Sequence, residues 1–198
     1  MHAVTVLTVF AVVFPAELPD KTLIASLVLG SRFPPVWVWI GVAIAFTVHV
    51  GIAVTAGNLF ALLPHRAVQG IVAALFAAGA LFLLLSSEEH EREEGEAIAG
   101  AAPPTPPRPR RVVATSFIVL FAAEWGDITQ IVTANLAAKY RDPLSVGLGA
   151  ILALWLVAAL AVAGGRTLLR YVPLLLVRRI TAVIFAVLAG VTAVEALV

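Results

Sequence analysis

Two groups of acidic residues stand inside long apolar runs, and few folds can hold them there. The first is Ala16-Glu17-Leu18-Pro19-Asp20-Lys21-Thr22. The second is Ala122-Ala123-Glu124-Trp125-Gly126-Asp127-Ile128-Thr129-Gln130. In each, a Glu is followed three residues later by an Asp, and two residues after that by a Thr. The chain is 61% hydrophobic and 13% charged, with a mean hydropathy of +1.02. A soluble domain is about 45–50% apolar and about 25% charged. The excess apolar surface is suited to lipid rather than to a core. A carboxylate at membrane depth is costly and marks a functional site by default. Four of them in two matching groups point to a membrane cation transporter.

A helix that crosses a bilayer needs roughly 20 mainly apolar residues, and six stretches qualify: about 3–29, 36–63, 67–85, 112–138, 144–163 and 180–198. The expected fold is an all-α membrane protein of six transmembrane helices. Ser31-Arg32-Phe33-Pro34-Pro35, Pro64-His65-Arg66 and Lys139-Tyr140-Arg141-Asp142-Pro143 separate the spans, and 164–179 reads as a basic connection. Between the third and fourth spans the composition changes sharply. Residues 86–111 carry six glutamates, then a proline-rich run from Pro103 to Pro109 and three arginines. This reads as a solvated tether, helical in its acidic half and extended in its proline half.

The domain division is therefore 1–85, a linker at 86–111, and 112–198. Glu17 and Glu124, Asp20 and Asp127, and Thr22 and Thr129 all lie 107 positions apart, and Ala56-Gly57 falls on Ala163-Gly164 at the same offset. Three spans per half force related halves into opposite orientations, the inverted-repeat plan of many secondary transporters. The 1–2, 3–4 and 5–6 connections hold nine arginines, while the opposite side holds Arg66, Lys139 and Arg141. Positive charge stays inside, so the linker is expected in the cytoplasm and both termini outside, in a multi-pass protein of the plasma membrane.

Glu17 and Asp20 would share one face of a continuous helix, as would Glu124 and Asp127. Each group begins twelve to fifteen residues into its span, near mid-membrane at roughly 1.5 Å per residue. Packing the first span on the fourth would bring four carboxylates together. Thr22 and Thr129 could add hydroxyl oxygens, Gln130 an amide oxygen, and Asn135 lies two turns beyond Asp127. Lys21 either pairs with a site carboxylate or snorkels toward the cytoplasmic face. Pro19 lacks the N–H that would bond the carbonyl of Pro15, and Pro15 that of Ala11; such carbonyls need partners in a membrane, and a cation is one. Hard oxygen donors suit Mg²⁺, Ca²⁺ and Mn²⁺. Four ionised carboxylates with Lys21 sum to −3. Like charges at one site oppose one another's ionisation, so the empty site should hold protons and release them to a metal. That is the logic of a proton–cation antiporter.

Two copies of Glu-x-Gly-Asp-Lys/Arg-Ser/Thr in two three-helix halves resemble the Gdt1 family of membrane proteins. The resemblance covers the six spans and implies a transporter of Mn²⁺ or Ca²⁺ that works by exchange with protons or another counter-cation. It implies site roles for Glu17, Asp20, Lys21 and Thr22, and for Glu124, Gly126, Asp127 and Thr129. This chain departs from the pattern at Pro19, where Gly is usual, and at Ile128, where Lys or Arg is usual.

The metal ligands expected are thus Glu17, Asp20, Thr22, Glu124, Asp127 and Thr129, with Lys21, Gln130 and Asn135 accessory. The transported Mn²⁺ or Ca²⁺ is cargo, and no cofactor is expected. The partners are a divalent ion, protons or another counter-cation, and the lipid bilayer, with homo-oligomers left open. The chain has no cysteine, which excludes thiolate sites, and no basic, aromatic-rich patch for nucleic acid. The N-terminus lacks the basic n-region and cleavage site of a signal peptide. His49 and Asn58 read as interhelical hydrogen bonders, and Trp125 as a wall of the site. Two other classes fit less well. A membrane hydrolase would need Arg or Ser beside the acids. An exporter of amino acids or other solutes would need fewer charges and a larger polar cavity.

Overall fold

Prolines, caps and two breaks set the helix boundaries. The computed structural model of the chain describes residues 2–18, 20–60, 64–85, 88–100, 102, 108–171 and 174–197. These form nine helices and no strand. α1 (Ala3–Glu17) and α2 (Lys21–Arg32) meet at the first acidic group, and α6 (Pro109–Ala123) and α7 (Ile128–Tyr140) meet at the second. α3 (Pro35–Phe60), α4 (His65–Leu85), α8 (Pro143–Tyr171) and α9 (Leu174–Leu197) are the long apolar helices, and α5 (Glu88–Gly100) is the acidic one. Proline opens α3, α6 and α8, where its missing N–H is no loss and its fixed φ suits the first turn. α7 closes at Arg141, whose left-handed φ of 51° lets its N–H reach the Ala137 carbonyl at 3.0 Å.

The chain is an all-helical integral membrane protein. The described parts of α3, α4 and α8 are each long and apolar enough to cross a bilayer, and counting each bent pair as one span brings the number to five. α9 adds a shorter apolar stretch, Arg179–Val194. Val4, Leu7, Leu81, Ile118, Leu144 and Val183 are each more than half exposed, a surface that water would penalise and lipid accepts.

Three expectations are corrected. The stretches 3–29 and 112–138 are not continuous helices: α1 and α2 bend by 71°, and α6 and α7 by 74°. The stretch 164–179 is not a separate connection, since its first residues prolong α8 to Tyr171 and its last ones open α9 from Leu174. The acidic half of the linker is helical, as read, but it is docked. Gly95, Ile98, Ala99 and Ala102 recur at helical spacing and pack inward, with Gly95, Ala99 and Ala102 buried. A Cβ on Gly95 would lie 2.6 Å from the Lys21 carbonyl oxygen, and Arg32 Nη1 donates to the Ala99 carbonyl at 3.2 Å. This small-residue face lies among the glutamates, whose charge masks it in the sequence. The proline run at 103–107 lies outside the described residues, as does Pro19.

Packing partners exchange between the halves. α1 packs on α8 while α6 packs on α3, and α2 packs on α8 while α7 packs on α3. Gly41 of α3 abuts the Val113 carbonyl of α6, and Gly149 of α8 abuts the Val6 carbonyl of α1. Those two contacts correspond at offsets of 107 and 108 positions. At the centre, Trp39 Nε1 donates to the Trp155 carbonyl and Trp155 Nε1 to the Ala43 carbonyl, both at 3.1 Å. α4 and α9 pair along their length, with Phe76 and Phe185 edge to face at 5.7 Å.

Close backbone approach makes Gly149 intolerant of a side chain, since its Cβ would meet the Val6 carbonyl at 2.6 Å. Gly149→Val is expected to destabilise the detergent-solubilised protein by roughly 1–3 kcal/mol, the usual cost of overpacking. Gly70→Ala, at a position with nothing within 4 Å, is the control. Thermal unfolding of both variants checks the difference.

Candidate metal centre

Each acidic group is a helix break built the same way. Glu17 ends α1, and Asp20 caps α2 by accepting the Thr22 N–H at 3.2 Å. Glu124 caps the end of α6, and Asp127 caps α7 by accepting the Thr129 N–H at 3.3 Å. Asp20 N–H and Asp127 N–H each turn back to the carbonyl of their own Glu at 3.1 Å. Asp-x-Thr is thus an N-cap sequence rather than part of a helix face. A shared helical face for each Glu and Asp is therefore overturned. Gly126, at φ +78°, supplies the left-handed turn that ends α6. That cap, with Gly126 ahead of it, was the available signal.

The breaks bring three carboxylates together. Glu17, Asp20 and Glu124 each offer an oxygen, all within 4.8 Å of one another. Glu17 is fully buried and Glu124 is 2% exposed. Glu17 Oε2 and Glu124 Oε1 have no hydrogen-bond partner among the described residues, a costly state for a buried carboxylate. The Thr22 hydroxyl lies 2.6 Å from Glu17 Oε1 and 2.8 Å from Asp20 Oδ2. Its single proton can serve one of them at a time.

The fourth carboxylate stands beside this cluster. Asp127 Oδ1 is 3.4 Å from Lys21 Nζ, so the lysine of the first group pairs with the aspartate of the second. Lys21 also lies 3.9 Å from Glu94 Oε2 on α5. Ile128 occupies the place of Lys21 in the second group and packs against the core near Gly79. It carries no ammonium that could reach back to Asp20. Lys21 therefore pairs with Asp127 at contact distance, and its charge also acts on Asp20. Thr129 is buried, with its hydroxyl 3.5 Å from Asp127 Oδ2.

The accessory residues have other duties. Gln130 Oε1 accepts the Gly126 N–H at 2.9 Å, and its Nε2 lies 3.0 Å from His49 Nδ1. His49 Nε2 lies 2.9 Å from the Phe121 carbonyl oxygen. A carbonyl can only accept, so Nε2 carries the proton and Nδ1 accepts from Gln130. Buried His49 thus holds both sides of the second break from α3. At the first break the Thr181 hydroxyl donates to the Pro15 carbonyl at 3.0 Å. That carbonyl already has a protein partner rather than waiting for a cation. Asn135 is buried in α7, and no hydrogen bond joins it to the acids. Trp125 is 64% exposed, with one edge toward His49 and Phe121, so it covers the histidine rather than the carboxylates. A narrow cavity beside Glu124 is lined by Phe46, His49, Thr129, Gln130, Thr133 and Leu154. The carboxylates of Glu17, Asp20 and Glu124 with the Thr22 hydroxyl form a mostly buried, net-negative cluster of oxygen donors, of a kind suited to a hard cation.

A second ammonium, added beside the acidic cluster, should oppose a divalent ion there. Ile128→Lys is expected to weaken divalent-cation affinity by roughly tenfold or more, since a like charge within a few ångströms is worth over a kcal/mol there. Ile128→Met, which keeps the length without the charge, should change it little. Calorimetric titration with Mn²⁺ compares the two.

A family model described as divalent cation/proton antiporter GDT1 matches residues 5–91 and 112–198. A GDT1-like protein of Synechocystis sp. is 32% identical over 161 residues, covering 76% of this chain and 78% of that protein. A Vibrio cholerae protein named "Putative manganese exporter" is 31% identical over 196 residues, covering 97% of this chain and 92% of that protein. No solved structure matches.

Proposed function

The chain belongs to the GDT1 family of divalent cation/proton antiporters, which are transporters and not enzymes, and on that premise we propose that it moves Mn²⁺ against protons through the Glu17–Asp20–Glu124 site. The observation that carries this reading is the convergence of three carboxylate oxygens within 4.8 Å, two of the carboxylates having an oxygen without a partner. An ion bonded at about 2.1–2.5 Å fits between oxygens so spaced. Thr22 and Thr129 stand at the edge of the site, and Asp127 is the fourth ligand in reserve. Mn²⁺ is chosen over Ca²⁺ because of the name of the Vibrio relative; the donor set itself accepts both.

Coupling follows from charge. Carboxylates crowded into a desolvated pocket oppose one another's ionisation, so protons occupy the site when the metal leaves. Metal binding must then displace protons. The halves act as an inverted repeat about the site, a reading supported by the exchanged packing of α1 on α8 and α6 on α3. Positive-inside counting places the linker in the cytoplasm and both termini outside the plasma membrane.

Two outcomes are expected. Asp20→Asn keeps the cap's shape but removes a ligand charge; transport should be abolished and Mn²⁺ affinity should fall by roughly 100-fold or more, beyond the usual cost of losing a mere ligand supporter. Proteoliposome uptake and calorimetry measure the two losses, and retention of both activities would overturn the site. Apparent Mn²⁺ affinity should also fall as pH drops from about 8 to about 6, by up to about tenfold per pH unit for each proton displaced. The sign follows because protons compete for the same oxygens. An imposed proton gradient should drive Mn²⁺ the opposite way in proteoliposomes, with Ca²⁺ as the comparison ion. A pH-independent affinity would exclude proton exchange.

A further inference from the structure

Lys21 has three acidic neighbours, Asp127 and Asp20 from the acidic groups and Glu94 from outside them. Its ammonium lies 3.4 Å from Asp127 Oδ1 and 3.9 Å from Glu94 Oε2. Glu94 is on α5, in the stretch between the two segments that match the family. Its position there is built rather than incidental. Gly95 seats α5 on the backbone of Lys21 and the side chain of Ile24, Arg32 Nη1 holds the Ala99 carbonyl at 3.2 Å, and Ala99 is fully buried. The three side chains grade from the site toward water: Asp127 is 12% exposed, Lys21 22% and Glu94 43%.

We propose that Glu94 is a positioning residue of the transport site, taking over Lys21 when Asp127 turns to a bound divalent cation. This rests on the metal-exchange reading above. Asp127 cannot serve a metal ion and an ammonium equally, because the two cations repel. Once Asp127 turns to the ion, with Asp20 already committed to it, Lys21 needs another acceptor. An ammonium left half-buried beside a divalent ion without a counter-charge is strongly disfavoured. Glu94 Oε2 is already within reach, so a side-chain rotation suffices and no helix has to move. The second half has no lysine to pass on, since Ile128 stands at that position. The handover is therefore made once, on the α2 side, where α5 is docked.

The test is a double-mutant cycle read by Mn²⁺ calorimetry on the full-length protein in detergent. Glu94→Gln is expected to raise the Mn²⁺ Kd by about tenfold, and Glu94→Asp to recover part of that loss. In a Lys21→Met background, Glu94→Gln should change Kd by less than about twofold, because no ammonium remains to be received. A purely structural role for Glu94 would give the same loss in both backgrounds, and that result overturns the proposal. So does an unchanged Kd for Glu94→Gln in the otherwise unaltered protein. Failure of the unaltered protein to bind Mn²⁺ at all would instead overturn the exchange reading, and this inference with it.

Discussion

The ion pair between Lys21 and Asp127 is the interaction on which the rest of the site depends. It joins the two acidic groups across the molecule at 3.4 Å, and it decides which carboxylates are left to face one another. Without that ammonium, four acids would crowd a pocket that two glutamates already occupy almost entirely out of solvent. With it, one negative charge is neutralised within the protein and three remain. Removing one partner of such a pair leaves an uncompensated charge, which typically costs about 3–5 kcal/mol. Lys21 is thus both a structural tie and the source of asymmetry in an otherwise repeated frame.

That frame can carry charges at membrane depth because its broken backbone is satisfied by the protein. Hydrocarbon offers no water to a carbonyl or N–H left over where a helix stops. The aspartates cap α2 and α7 with their own side chains. Thr181 reaches the Pro15 carbonyl from α9, and His49 reaches the Phe121 carbonyl from α3. Gln130 ties the left-handed turn at Gly126 to His49. The supports differ between the halves although the breaks match. Several polar groups that might have served as ligands are therefore spent on geometry, and one carboxylate oxygen each of Glu17 and Glu124 is without a hydrogen-bond partner among the described residues.

α5 is rich in glutamate, yet its Gly95, Ile98, Ala99 and Ala102 face lets it lie against α2. Charge content alone suggested a tether, because like charges in water favour an extended chain. One buried small-residue stripe was enough to reverse that outcome.

The sequence by itself determined the class of the molecule and the chemistry of its centre. Apolar runs of spanning length, interrupted by two acid groups 107 positions apart, allow little besides a membrane helix bundle that gathers its carboxylates away from lipid, because lipid penalises unpaired polar groups at every position. Only the tertiary structure decided how those acids meet. Helical spacing placed Glu17 and Asp20 on one face, whereas a 71° bend puts one at a helix end and the other at a helix start. Which cation neutralises which aspartate, whether α5 docks, and whether Gln130 serves a metal or a glycine N–H are contests between partners far apart in the chain. Local spacing cannot rank such partners, since their energies depend on distances that exist only once the helices have packed.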